Sequence, residues 1–391
     1  MRVASTRPSF ELLGPLRLTS GSAEVLLGTP KQRAVLAMLL LNRNRSVGVE
    51  SLISAAWGEA APEGARATVH VYVSNLRRLL STAGVDGRTA LAKAPPGYRL
   101  NVADADVDLG RFVGNKTAGV RAAAASRFDE ASHHLSAALA EWRGPVLEDL
   151  HNDFGFVEPF AVSLHEDKIA AHTALAEAEI VCGRPDAVIA GLEELIADQP
   201  YREPLWAQLI TAYYADGRQA DALNAYTRLK SVLADELGID PAPTLQALYQ
   251  KVLRQEPLHV QASAQSTALQ TLVSIEQRSA IGVSPSFARL RDSDGNYYPL
   301  HPVATRIGRH ADNDIVLPST KVSRHHAIII DTGTTFVIND LRSVNGIILQ
   351  NKRIRASAQL SHGHRLRIGD RHFTFEIVSE QPGAVDASEG N

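Results

Sequence analysis

The sequence predicts a multidomain protein: an α+β module, then an all-α module, then an all-β module. Three observations predict this order. Residues 10–101 run through short strands, three helices and a hairpin. A 34-residue internal repeat follows, and after Ser286 apolar and polar residues alternate between turns.

The opening "FELLGPLRLTSGSAEVLLG" alternates around Gly-Ser turns, as short strands do. Thr29 is placed as the N-cap and Pro30 as the first residue of a helix whose core face includes Leu36, Leu39 and Leu40. A second helix is predicted over 49–57 and a third over 63–82. "LAKAPPGYRLNV" follows as a hairpin turning at Pro95-Pro96-Gly97. Strands, three helices and a hairpin are the order of a winged helix-turn-helix.

From 106 to about 255 the chain is rich in Ala and Leu at helical spacing. Gly183-Arg184 and Gly217-Arg218 align at an offset of 34 residues, and a weaker copy begins at Ser126. Paired helices at this period are tetratricopeptide-like, with Ala222 and Ala225 permitting close packing. Residues 257–285, rich in Gln, Ser and Ala, are expected to form a linker, in part helical. Beyond it, "RHFTFEIV" puts Phe373, Phe375 and Ile377 on one face, and "GTTFVIND" and "NGIILQ" are further strands of a sandwich. Residues 381–391 are expected to be a disordered tail.

Composition narrows the function. A hydrophobic content of 45% and a charged content of 21% describe a globular chain, with no apolar run of membrane-spanning length. The single cysteine, Cys182, excludes an intrachain disulfide framework and is read as a core residue of the repeat. The expected setting is the cytoplasm, without membrane insertion. Charge is uneven: residues 1–105 carry 13 basic and 7 acidic side chains, and residues 106–256 carry 13 and 24. A basic head permits a polyanionic partner. The acidic middle is expected either to dock on that head and compete with DNA or to act as one part of a passively tethered chain.

The third predicted helix has two faces. Val69, Val73, Leu76 and Leu80 form an apolar stripe, while Arg66, His70, Ser74 and Arg77 share a polar one. Such a helix can pack through one side and enter a major groove with the other, with Arg77 and Arg78 reaching phosphates. A solvated charged face is the competing account.

The segments "TPKQRAVLAMLLLNRNRSV", "TVHVYVSNLRRLL" and "PPGYRL" resemble the OmpR-type winged helix of the antibiotic-regulatory SARP activators. "AEWRGPVLEDL" and "LADELGIDPAPTLQALYQ" resemble the bacterial transcriptional activation domain that follows it in that family. The resemblance implies that residues 66–80 lie in the major groove. His70, Val71, Ser74 and Asn75 then face base edges, Thr68 and Arg77 contact phosphates, and Arg99 sits in a wing near the minor groove. Response-regulator relatives often carry more arginines on this face, so Ser74 and Asn75 leave the sequence preference open.

"TRIGRHADNDIVL", "KVSRHHAIII" and "NDLRSVNGIIL" resemble, in order and spacing, the three motif loops of forkhead-associated (FHA) domains. These are β-sandwiches that bind phosphothreonine peptides. The resemblance implies that Arg309 and Ser323 grip phosphate, Arg324 adds charge and Asn345 fixes the peptide backbone. Gly308, His326, Asp340 and Gly346 are framework. Guanidinium and hydroxyl donors suit a phosphate dianion, because charge-assisted hydrogen bonds are the strong ones.

Other chemistry is excluded or weak. No G-x-x-x-x-G-K-[ST] loop occurs in the chain. Adjacent His325 and His326 on a strand would point to opposite faces and are poorly placed to share a metal. Asp104, Asp106 and Asp108 are read as solvated. No cofactor is called for. The expected function is a DNA-binding transcriptional activator with three classes of partner: promoter DNA, RNA polymerase and a phosphothreonine-bearing Ser/Thr kinase. A phosphopeptide-binding adaptor without productive DNA binding is the alternative, separated by salt-dependent promoter binding.

Overall fold

The structure is a computed structural model. It describes residues 8–279 and 287–378, apart from 22, 59, 96, 301–303, 312, 332–335, 342 and 355–356. The expected tail and the end of the expected linker lie outside the described residues, as does Pro96 in the hairpin turn.

The first module opens with an antiparallel sheet of β1 (Pro8–Glu11), β2 (Arg17–Ser20) and β3 (Ala23–Glu24). Helix α1 (Pro30–Leu41) starts where its cap predicts, with the Gln32 N–H donating to the Thr29 side chain. Strand β4 (Ser46–Gly48), α2 (Val49–Trp57), α3 (Ala65–Thr82) and α4 (Gly87–Ala90) lead to the hairpin β5 (Leu91–Ala94) and β6 (Gly97–Leu100). Strand β6 pairs with both β4 and β5, so the hairpin is anchored to the helices. Val69, Val73, Leu76 and Leu80 of α3 are all buried against Leu36, Leu39 and Leu40 of α1. The predicted apolar stripe of α3 is its core face.

The middle module contains α5 (Asp108–Ala124), α6 (Phe128–Leu139), α7 (Glu148–His151), α8 (Val157–Val181), α9 (Asp186–Asp198), α10 (Glu203–Ala215), α11 (Gln219–Leu237), α12 (Pro243–Leu253) and α13 (Val260–Ser279). The repeat has a backbone cause. Ser126, Gly183 and Gly217 adopt φ of 59°, 74° and 76° between consecutive helices. The arginine after each donates its N–H back to the preceding helix, at Ala122 O, Glu179 O and Tyr213 O. A left-handed residue followed by this back-bond closes a helix C-terminus, and glycine adopts it without a Cβ penalty. Ser126 is the imperfect copy, as its sequence suggested.

Two expectations are corrected here. Residues 260–279 are a packed helix, not a linker. Ala264 and Ala268 of α13 are buried against Ala122, Ala123, Ala124 and Ala178, and the Gln265 amide donates to Ala124 O at 3.2 Å. The stripe is alanine, which a pattern of larger apolar residues does not reveal. Asp108 is not solvated. It is 1% exposed at the start of α5, and its carboxylate accepts N–H bonds from Leu12 (2.7 Å), Leu13 (2.8 Å) and Leu109 (2.7 Å). Arg143 lies 3.3 Å away. Burial pushes the Asp108 carboxyl up from its ordinary pKa, with these donors opposing.

Asp108 therefore bolts the middle module to the first. Leu12, Leu13 and Leu36 share one core with Leu109, Phe112, Leu147, Leu150 and Val157. Arg33 of α1 pairs with Asp149 of α7. The acidic module does dock on the basic one, through β1 and α1, but Val71 on the outer face of α3 remains 56% exposed. Docking at this surface leaves that face uncovered. Cys182 is a half-buried residue ending α8, at the margin of the core rather than within it.

The third module is a sandwich. One sheet orders β10 (Ile315–Val316), β9 (Ala304–Gly308), β11 (Ala327–Asp331), β12 (Phe336–Asp340) and β15 (Ser357–Leu360). The other orders β14 (Lys352–Arg353), β13 (Ile347–Leu349), β16 (Arg365–Ile368), β17 (Arg371–Val378), β7 (Phe287–Asp292) and β8 (Tyr297–Pro299). Phe373 and Phe375 are buried and Ile377 packs beside them, as their alternation predicts. Along β11, Ala327 and Ile329 enter the sandwich core, while Ile328 and Ile330 face outward against Phe156 and Phe160 at the start of α8. Leu41 of α1 joins this contact, so all three modules meet at one apolar junction.

Candidate functional sites

The three motif loops converge at one end of the sandwich. His326, fully buried, ties two of them together. The Ser323 N–H donates to His326 Nδ1 (3.0 Å), which leaves Nε2 as the nitrogen that donates to the Gly346 carbonyl (3.1 Å). The first loop is held by backbone bonds, Arg309 N to Ser323 O (3.0 Å) and His310 N to Arg324 O (3.2 Å). A Cβ added to Gly308 would lie 2.1 Å from Arg324 O, so only glycine permits this approach.

Above this framework lie the predicted phosphate ligands. Arg309, Arg324 and Asn345 are exposed and Ser323 is half-buried, its Oγ accepting from Val344 N at 3.2 Å. Asn345 Nδ2 donates to Lys321 O (2.7 Å), and Asp340 Oδ1 accepts from Ser343 N (2.8 Å), shaping the last loop. Two guanidinium groups and a hydroxyl thus sit on loops fixed from below. Donors of this kind on loops held from below could bind an anion with little ordering cost.

Sequence reasoning missed Asn313. It is buried, and its amide nitrogen donates to both His310 O and Arg324 O at 2.8 Å, clamping the first two loops. A polar residue within the first quoted motif segment was the available signal. It was ambiguous because asparagine is common in turns for other reasons.

The α3 face differs in character. Arg66 pairs with Glu50 of α2, and the Thr68 hydroxyl bonds its own helix at Gly64 O (3.1 Å). His70 Nδ1 lies 2.6 Å from the Tyr98 hydroxyl on β6. Asn75 is half-buried: its Nδ2 donates to Gln32 Oε1 (3.2 Å), and its Oδ1 accepts from Arg78 (3.0 Å). Arg77 Nε donates to Leu91 O (2.9 Å), with its guanidinium over the Tyr98 ring at 5.7 Å. Val71, Ser74, Arg78 and, on the wing strand, Arg99 are exposed. Gln32, which the sequence pattern did not single out, anchors the helix to α1, and Tyr98 of the expected wing anchors it to the hairpin.

Comparison with known proteins follows this architecture module by module. Residues 23–100 match the family described as "Transcriptional regulatory protein, C terminal", residues 107–253 the bacterial transcriptional activator domain, and residues 305–369 the FHA domain. The chain is 61% identical to the transcriptional regulatory protein EmbR of Mycobacterium tuberculosis over 380 residues, covering 97% of this chain and 98% of that one. It is 35% identical over 266 residues to the regulatory protein AfsR of Streptomyces coelicolor, covering 67% of this chain and 26% of AfsR. A solved structure of M. tuberculosis EmbR in complex with a low-affinity phosphopeptide is similar at a TM-score of 0.92 and 60% identity, covering 96% of this chain and all of that one. Each of these relatives is named as a regulatory protein. The chain belongs to the SARP-type family of transcriptional regulators, with its winged-helix, activation and FHA modules in the order found in EmbR.

Proposed function

We propose that this regulator is a cytoplasmic activator that binds promoter DNA through α3 and the β5–β6 wing and takes its instruction from phosphothreonine. The observation that carries the reading is the cluster of Arg309, Ser323, Arg324 and Asn345 on loops held by His326 and Asn313. The similar EmbR structure holding a phosphopeptide supports it. Residues 1–105 would read DNA, with Arg66, Thr68, Arg77 and Arg78 near phosphates and His70, Val71, Ser74, Asn75 and Arg99 near the grooves. Residues 106–256 would recruit RNA polymerase, and residues 286–380 would bind a phosphothreonine-bearing protein, a Ser/Thr kinase by the expected signalling logic. No helix among the described residues is long and apolar enough to cross a membrane.

The test is calorimetry with paired threonine and phosphothreonine peptides, alongside promoter gel shifts at several salt concentrations. Binding restricted to the phosphorylated peptide and lost in Arg309→Ala supports the reading. Equal affinity for the two peptides contradicts it.

A further inference from the structure

An open-sided cleft lies where the three modules meet. Trp57 and Tyr72 line it from the first module, Phe156 and Pro159 from the middle one, and His325 and Leu341 from the sandwich. Its volume is about 1260 Å³. That exceeds the roughly 300–1,000 Å³ of small-molecule pockets and suits several residues of an extended chain better than a metabolite.

The walls indicate what would lie there. Trp57 and Tyr72 stack with centroids 6.0 Å apart and planes 16° from parallel, and the Lys31 ammonium sits 5.1 Å from the Trp57 ring. Both aromatic side chains are only half-buried, and Leu341 is 37% exposed. Among the charged side chains lining the cleft, Glu50 pairs with Arg66 and Arg306 with Asp314, while Lys31 lies over the Trp57 ring and Asp153 also reaches the wall. Such a surface favours large apolar side chains over a charged ligand.

The cleft adjoins the loops expected to bind phosphate, reaching them at His325 and Leu341. His325 directly follows Arg324, and Leu341 directly follows Asp340. A peptide anchored by its phosphate on Arg309, Ser323 and Arg324 therefore has the lip of the cleft within reach of its flanking residues. We propose that the cleft is the second half of the phosphopeptide site. It would take the segment flanking the phosphothreonine, with an aromatic or large aliphatic side chain lying against Trp57 and Tyr72.

This inference rests on the phosphothreonine reading and adds its selectivity and its link to DNA. Tyr72 belongs to α3, next to the exposed Val71. Glu50, in the wall of the cleft, holds Arg66 at the start of the same helix. One bound peptide would then touch both the sandwich and the DNA-reading helix, which an isolated FHA module cannot arrange.

The experiment uses the full chain and two fluorescein-labelled phosphothreonine peptides of equal length and charge, followed by anisotropy. One has Leu and Phe on both sides of the phosphothreonine, and the other has Gly and Ser. The wild type is expected to prefer the apolar-flanked peptide about tenfold. Trp57→Ala, Tyr72→Ala and Leu341→Ala should each erase most of that preference while still binding the Gly/Ser peptide, which also shows that the variants fold. Leu341→Ala alters an exposed residue and guards against misfolding at Trp57. No preference in the wild type, or a preference unchanged in all three variants, overturns the proposal. Arg309→Ala separates the two ideas: it should weaken both peptides alike, and undiminished binding of both would refute the phosphate reading and this proposal with it.

Discussion

The FHA loops and the α3 face are both polar surfaces expected to meet phosphate, yet they are organised in different ways. At the loops, buried groups hold the backbone (His326, Asn313 and the space left by Gly308), and the arginines project outward. On α3, several of the side chains expected to reach DNA are themselves fastened inside the module. Arg77 ties the helix to the hairpin, Asn75 ties it to α1, and His70 meets Tyr98. At the first site the arginines stand apart from the scaffold, while Ser323 and Asn345 also bond to the loop backbone. The second uses some residues for both, so its substitutions will mix stability with binding.

The sharpest way to break this comparison is Gly308→Ala. Its Cβ would press on the Arg324 carbonyl, so a loss of about 3 kcal/mol in sandwich stability is expected. Phosphopeptide binding should disappear in calorimetry while promoter binding survives. Next in size are Arg309→Ala and Ser323→Ala. Each removes a hydrogen bond to a charged group, worth roughly 1.5–3 kcal/mol, or about 10- to 100-fold in affinity. Arg309→Ala should leave the melting temperature at the wild-type value, whereas Ser323→Ala also removes the acceptor of the Val344 N–H and should lower it slightly.

On the DNA side, Arg77→Ala should lower stability and promoter affinity together, by about 1 kcal/mol in unfolding free energy, because the Leu91 carbonyl loses its donor. Arg78→Ala should leave the melting temperature unchanged and reduce the salt slope of DNA binding by about 1. If Arg77→Ala behaves like Arg78→Ala, the contrast between the two sites fails. The smallest effects belong to the base-facing candidates. Ser74→Ala should shift preference at one base pair by about 1 kcal/mol in a binding-site selection. Asn75→Ala should act mainly on stability through Gln32 and Arg78.

The features legible in the sequence were those with a rigid pattern. The α3 core stripe and the Thr29 cap follow from spacing, because each depends on local geometry, and the three FHA loops were legible by resemblance to their family's motifs. Long-range partners were not legible. Asp108 sits in an alternating acidic stretch that looks solvated, and only the fold brings the Leu12 and Leu13 amides to it. Helix α13 hid its packing behind alanine, and its Ser, Thr and Gln content resembles a linker. Polar periodicity along α3 located the face correctly as a surface. It could not show that Asn75 and Arg77 were already engaged by Gln32 and Leu91, since those partners lie 43 and 14 residues away.

The central claim is that one chain reads DNA and phosphothreonine at separate, simultaneously available sites. It is tested most directly by titrating peptide into the full chain already bound to labelled promoter DNA. The account predicts that a phosphothreonine peptide saturates the DNA-bound wild type without releasing the DNA. The unphosphorylated peptide should fail to bind, and Arg309→Ala should weaken the phosphothreonine peptide about 10- to 100-fold. DNA release in proportion to bound peptide, or equal binding of both peptides, would contradict it.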